Sequence, residues 1–506
     1  MKCDKILIVG GGSAGWMTAA TLVKAFPDKD ITVLESPKVP TISVGESTIS
    51  KVKQWTHYLG IDDKEFLKHT DGNIKFSIKF TDFNEKDEAP FHYPFGAPVV
   101  EGTKLNYNDW WMKKEFNPET PVSDYADSFS SVMALINKSK GAHNFYGFDT
   151  DTDSAYQFDA IKFGIWLKDN YCIPRGVKYI QEDVKDIKQD ENGIVSLNKH
   201  KADLYIDCTG FKSMLLGGAL KEPFEPIPNL PNNKAWVTKI PYVDKTKEVE
   251  SFTNCTAIEN GWVWNIPLWS RVGAGYVYSD KFVDDKTALK EFKNHLAKVR
   301  PGFGTEKHEF RNIKMKCGIY HRLFVKNVVA IGLANGFIEP LESNGLFSVH
   351  EFLKQLIREL KRDKVSQWDR DNFTYRCKDM FQGFSEFVAL HYVLSHRDDT
   401  EYWRSIRDKN WLVEKNTAMF RLANARFREH NFGSNLGGIH TIAAGMHYSP
   451  TELSEILWST HHNKEFLKRE WAQCIENLNK KKNKWEDAAK KAENTYDFLK
   501  RHIYNE

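Results

Sequence analysis

The stretch Lys5-Ile6-Leu7-Ile8-Val9-Gly10-Gly11-Gly12-Ser13-Ala14-Gly15 decides the fold. It begins as a short apolar run closed by glycine, the pattern of a buried strand. Gly10, Gly12 and Gly15 then fit G-x-G-x-x-G. From Ser13 onward apolar positions recur at helical spacing, and Ile31 to Leu34 make a second strand that ends in Glu35. Strand, glycine turn, helix and strand form a βαβ unit of the dinucleotide-binding kind. The glycines allow a tight turn and a close approach of backbone to a pyrophosphate. The helix N-terminus offers free N–H donors, with Ser13 and Ala14 at its mouth, and Glu35 can accept from a ribose hydroxyl. No second motif of this kind follows, so one dinucleotide site is expected.

Outward from that unit, residues 203–207 and 327–331 read as buried strands running into glycine-containing turns, placed to rejoin the first sheet. Residues 74–80 alternate: Ile74, Phe76, Ile78 and Phe80 on one side, Lys75, Ser77 and Lys79 on the other. The spacing predicts one half-buried strand with a basic, wet face. The segments 74–150 and 234–280 are aromatic and strand-rich, which suggests an antiparallel layer. From Leu346 apolar residues follow helical spacing. The expected fold is therefore α/β: a Rossmann-like dinucleotide module over 1–364, with the strand-rich layer interleaved, and a mostly helical part over 365–506. The Lys-rich run 478–502 reads as a solvated helix face.

Composition narrows the function. The chain has 506 residues, 41% hydrophobic and 27% charged, enough for a large core in two joined domains. With 71 basic against 68 acidic residues the net charge is +3, which gives no reason to expect nucleic acid or a membrane surface as partner. Seven scattered cysteines, none in C-x-x-C, indicate neither a disulfide framework nor a metal site. The expectation is reduced thiols in a cytoplasmic protein without a signal peptide or a transmembrane helix.

Three further segments carry the chemistry: Gly45-Glu46-Ser47-Thr48 after the second strand, Gly261-Trp262-Val263-Trp264-Asn265-Ile266-Pro267, which fits W-x-W-x-I-P, and Glu339-Pro340-Leu341-Glu342-Ser343-Asn344-Gly345 before the long helix. With Lys79, they resemble the flavin-dependent halogenases, most closely the tryptophan halogenase branch, and the likeness runs over nearly the whole chain. The resemblance implies reduced FAD and a halide as cofactors, with FAD held by Gly10, Gly12, Ser13, Ala14, Gly15, Glu35, Gly45 and Glu46. Leu333 and Leu346 would flank the isoalloxazine, and Val184 would contact the adenine end.

In such enzymes reduced FAD, oxygen and halide give hypohalous acid, which passes to an electron-rich aromatic substrate. By resemblance, Trp262, Trp264 and Pro267 belong to the wall that keeps substrate from the flavin. Lys79 would hold and polarise the hypohalous acid, and Glu342 would take up the proton the ring loses. Ser343 would link the substrate and flavin sides and could cap the following helix, while the backbone of Asn344 and Gly345 would hold the halide at the helix N-terminus. Tyr93 and Phe95 match substrate-contacting positions. A separate flavin reductase is implied, since no second dinucleotide site is present, and a homo-oligomer is compatible with this reading. The alternative within enzymes is a monooxygenase that inserts oxygen directly.

The chain departs from the family in three places. Asn344 stands where Thr is usual. His92-Tyr93-Pro94-Phe95-Gly96 stands where the tryptophan-specific enzymes carry a His-x-Phe pair, with the His and Tyr order exchanged. Asn431-Phe432-Gly433-Ser434 carries glycine and serine where the tryptophan-specific enzymes have large aromatics. A wider pocket, substrates beyond free tryptophan, and bromide or iodide over chloride are expected.

Overall fold

In the computed structural model, residues 1–38, 45–99, 110, 113–114, 117–228, 230–407, 436–448 and 464–505 are described. The N-terminal unit forms as the glycine pattern requires. Strand β1 (Lys5–Val9) runs into helix α1 (Ser13–Ala25) and returns as β2 (Asp30–Glu35), parallel to β1. Both strands are buried on both faces except at their ends. Such two-sided burial is what a parallel sheet needs, and the sequence meets it with continuous Ile, Leu and Val.

A six-stranded sheet grows from this pair in the order Lys178–Gln181, β2, β1, Leu204–Asp207, Val328–Ala330, Phe324–Val325, parallel except for the last pair. The first predicted returning strand thus lands beside β1 and the second beside the first. Asp207 ends the first of them. Its buried carboxylate accepts from the backbone of Thr209, Leu215 and Leu216 and so shapes the turn bordering the site described below.

The second layer is a seven-stranded sheet. Its order is Arg311–Lys314, Lys234–Pro241, Arg271–Tyr278, Gly261–Pro267, Phe252–Ile258, β5 (Ser77–Thr81) and β6 (Phe91–Pro94). All its pairs are antiparallel except Phe252–Ile258 with β5. A small third sheet joins β3 (Glu46–Ser47), Ala155–Phe158 and β4 (Asn73–Lys75).

Three expectations change here. Residues 74–80 are not one strand: β4 and β5 belong to different sheets, and the break falls at Phe76, whose N–H bonds Ser251. Nor is the polar side of the stretch wet, because Lys75 and Ser77 are fully buried and only Lys79 is half-buried. The region after β6 turns helical at Asp124–Phe129 and Val132–Ile136 rather than staying strand-rich. The Lys-rich run is partly turned inward: on helix Lys464–Ala489, Lys481 donates to the Val99 carbonyl at 2.8 Å and Lys482 meets Asp124 at 2.5 Å.

Helix Gly345–Leu360 lies against α1, and the long helix Gln367–Val393, opened by a Ser366–Asp369 capping box, lies against Gly345–Leu360. No helix among the described residues is long and apolar enough to cross a membrane.

Candidate active site

The glycine turn opens onto a cavity of about 550 Å³ that reaches the N-terminus of helix Gly345–Leu360. Its walls include Gly10, Gly12, Ser13, Ala14, Glu35, Gly45, Glu46, Val184, Leu333 and Leu346, and also Ser343, Asn344, Gly345 and Trp264. Gly15 stands behind this wall, and its role is steric. A Cβ there would lie 1.9 Å from the Gly10 carbonyl oxygen, whereas one on Gly12 would meet nothing within 4 Å. Gly10 has φ +113° and sits 2.3 Å, by its would-be Cβ, from the Cys208 carbonyl oxygen. The turn can therefore close only with glycine at 10 and 15, and at Gly12 it leaves open space for a phosphate.

Glu35 ends β2 at the cavity, with Oε2 accepting from the Tyr179 hydroxyl at 2.9 Å. Burial pushes the Glu46 carboxyl up to about 7. The open glycine turn, the acid at the end of β2 and the apolar far end with Leu333 and Leu346 all fit FAD.

Past the cavity the chain turns sharply at Ser343, which has φ 55°. This left-handed residue leaves Ser343 and Asn344 lining the cavity while Glu342, 2% exposed, is not part of its wall. Ser343 does not cap the following helix; Asn344 is the N-cap residue and makes no side-chain cap bond. The Ser343 hydroxyl is used elsewhere. It donates to Ser47 Oγ at 3.1 Å and accepts from Lys75 Nζ at 2.9 Å. The Asn344 Oδ1 is buried and has no partner among the described residues.

Lys75 is the residue that the sequence reading passed over. Its ammonium also donates to the Thr48 carbonyl at 2.9 Å and stands 5.1 Å from the Phe95 ring centre. Burial pulls it down to about 7, partly offset by Cys255 and Glu342. Ile74-Lys75-Phe76 and Ile78-Lys79-Phe80 are the same triplet twice, and only their placement distinguishes them.

The structure does not bring Lys79 to Glu342. In the register of the second sheet Lys79 stands beside Asn254 and His92, while Phe80, Cys255 and Trp264 form the neighbouring row. Alternate residues of a strand face opposite sides. Cys255 is on the Glu342 side, with its thiol to the Leu341 carbonyl, so Lys79 is on the other. There its ammonium lies 5.6 Å from the Phe252 ring centre. Burial, with the Lys79 charge added to it, holds the His92 imidazole down at about 3. His92 is thus neutral, tied through Nδ1 to Ser77 Oγ at 2.9 Å.

Trp262 and Trp264 share the face of Gly261–Pro267 that carries the Cys255 row, with ring centres 6.0 Å apart. Trp264 lies flat across Gly275, where an added Cβ would be 2.2 Å from its ring. Only Trp264 of the pair touches the cavity. Pro267 is set back, its carbonyl accepting from Asn73 at 2.9 Å. Tyr93 and Phe95 are in ring contact at 6.1 Å, and Tyr93 meets Phe387 of helix Gln367–Val393 at 6.0 Å. Burial and the Glu342 charge both raise the Tyr93 phenol. These two aromatics therefore share one side of the wall with Lys75 and Glu342, and the cavity occupies the other. The positions Gly433 and Ser434 lie outside the described residues.

Comparison with known proteins shows which family the chain resembles over its length. A family model described as tryptophan halogenase matches residues 5–489. The tryptophan 6-halogenase ThaL of Streptomyces albogriseolus is 30% identical over 490 residues, 89% of this chain and 90% of that protein. Among solved structures, VirX1 in its apo form is 35% identical with a TM-score of 0.90, covering 99% of this chain and 100% of that one. BrvH, a flavin-dependent halogenase from Brevundimonas sp. BAL3, is 27% identical with a TM-score of 0.83, covering 98% and 99%.

Proposed function

The chain belongs to the tryptophan halogenase family, flavin-dependent enzymes that halogenate aromatic substrates with reduced FAD and halide, and from that premise we propose that Lys75, not Lys79, delivers the halogen here. Reduced FAD in the cavity would activate oxygen and, with halide, supply hypohalous acid. Everything after that falls to the chain's own residues. The Trp264 wall excludes substrate from the cofactor. The Lys75 ammonium, on the substrate side, hydrogen-bonds the hypohalous oxygen and gives it a proton as the halogen leaves, which makes the halogen more electrophilic. Glu342 stabilises the cationic ring and removes its proton. Backbone N–H groups at Asn344 and Gly345 hold the halide.

The observation that carries the choice of lysine is the buried bridge from Lys75 Nζ to Ser343 Oγ and the Thr48 carbonyl, beside Glu342. An ammonium near 7 is poised to lend its proton at neutral pH. The test sets Lys75→Ala against Lys79→Ala, with chemically reduced FAD, bromide and an electron-rich indole. We expect brominated product to vanish in the first and persist in the second. The reverse pattern would return the role to Lys79.

The substrate range we propose is broad, covering electron-rich phenols and indoles rather than free tryptophan alone, with bromide or iodide ahead of chloride. Two features support it: the glycine and serine at 433 and 434, and Asn344 Oδ1 at the halide end of the cavity, which has no partner among the described residues. Competition among the three halides over an arene panel decides it, and efficient monochlorination of tryptophan at one carbon would refute it. A separate reductase is proposed to supply reduced FAD, so the isolated protein should not oxidise NADH.

A further inference from the structure

Removing a proton from the halogenated ring leaves a second problem, which is where a closed site puts that proton. Glu342 is 2% exposed, and neither of its oxygens completes a hydrogen bond with the described residues. One titratable ring stands against it. His391, fully buried on helix Gln367–Val393, places Nε2 at 2.8 Å from Glu342 Oε1. The approach is close without meeting the directional requirement of a hydrogen bond.

The rest of the ring is fixed. Nδ1 lies 3.0 Å from the Phe387 carbonyl, and the ring packs against Phe80 at 4.8 Å and Phe387 at 5.5 Å. A carbonyl oxygen can only accept, so Nδ1 carries the hydrogen. In the neutral ring Nε2 is then a bare lone pair aimed at the Glu342 side.

We propose that His391 is the positioning residue for Glu342 and the acceptor of the proton that Glu342 removes. This rests on Glu342 acting as the base. The halogen passes from the hypohalous oxygen to a ring carbon, and that oxygen leaves with the Lys75 proton as water. The C–H bond at that carbon then breaks, its electron pair restores the aromatic ring, and its proton goes to Glu342 and on to His391 Nε2. Glu342 is again a carboxylate and His391 an imidazolium. Return of that proton to the Lys75 amine resets the site. Arene and hypohalous acid have become haloarene and water, with no proton drawn from outside. The imidazolium also gives the buried Glu342 carboxylate a counter-charge that no hydrogen bond from the described residues supplies.

Two measurements test this. Nitrogen NMR of 15N-histidine protein without flavin should show His391 with its hydrogen on Nδ1 and a bare Nε2, and Glu342→Gln should shift that Nε2 signal. Multiple-turnover halogenation of an electron-rich indole, ring-protiated or ring-deuterated, is then compared in three proteins, because each later turnover waits for Glu342 to shed the proton or deuteron it took from the ring. In the native protein deuterium should change nothing, because halogen transfer limits the rate. His391→Gln can still bond Glu342 but cannot carry a proton. It should slow product formation by about a hundredfold, and a normal deuterium effect should appear. A purely structural role for His391 would lower the rate without that effect. Full rate in Glu342→Gln would remove the base reading itself. Loss in Glu342→Gln beside full rate and no isotope effect in His391→Gln would overturn the proton transfer alone. A hydrogen on Nε2 in the NMR spectrum would do the same, whether or not the variant folds.

Discussion

Replacing Lys75 by methionine removes a buried charge while keeping an unbranched side chain of similar length, and the consequence depends on pH. The Lys75 value is about 7 in the folded protein against 10.5 for a free lysine. A folded value below the unfolded one means that the unfolded chain binds an extra proton between about 7 and 10.5. Native stability therefore rises with pH across that window, and the full penalty is present below it. Holding the ammonium inside costs about 5 kcal/mol at pH 6.5 and about 3 kcal/mol at pH 8.5. The native protein should thus gain about 2 kcal/mol on Lys75→Met between those two pH values. The lost bonds to Ser343 and Thr48 set a constant offset and leave this change untouched. Glu46, whose carboxyl also stands near 7, is common to both proteins and cancels. At the unfolding entropy expected for 506 residues, the difference in melting temperature should move by about 2 °C. Scanning calorimetry of the flavin-free proteins at pH 6.5, 7.5 and 8.5 measures it. A difference that stays flat across the series would show that Lys75 does not titrate there, and its role as proton lender at neutral pH would fall with it.

Gly15→Ala puts a Cβ 1.9 Å from the Gly10 carbonyl oxygen, so the turn cannot close and FAD binding, followed by flavin fluorescence, should be lost. Gly275→Ala places a Cβ 2.2 Å from the Trp264 ring, where ordinary contact begins at 3.4 Å. The ring must shift by more than an ångström, and reduced flavin should then be consumed with less halogenated product per turnover; unchanged coupling would mean Trp264 is not the barrier. Glu342→Gln should leave FAD affinity intact and slow product formation by about a hundredfold or more, measured by rapid quench.

What the sequence by itself determined is local. G-x-G-x-x-G works through the backbone of one turn, the apolar runs at 5–9, 203–207 and 327–331 need a sheet buried on both faces, and W-x-W places two rings on one side of one strand at any register. These needs are met by neighbours in the chain, so the dinucleotide module, the returning strands and the wall could be read before any fold was known. The lysine could not. Lys75 and Lys79 sit in identical Ile-Lys-Phe triplets, and a regular alternation would place both on one wet face. Only the break at Phe76, which sends β4 and β5 into different sheets, turns Lys75 inward to Thr48 and Ser343 and leaves Lys79 beside His92. His391 escaped for the same reason, since it stands 49 residues from Glu342 along the chain and 2.8 Å from it in space. Which polar side chains share a buried site is set by sheet order and helix packing, and these are long-range properties that no periodicity in one segment records.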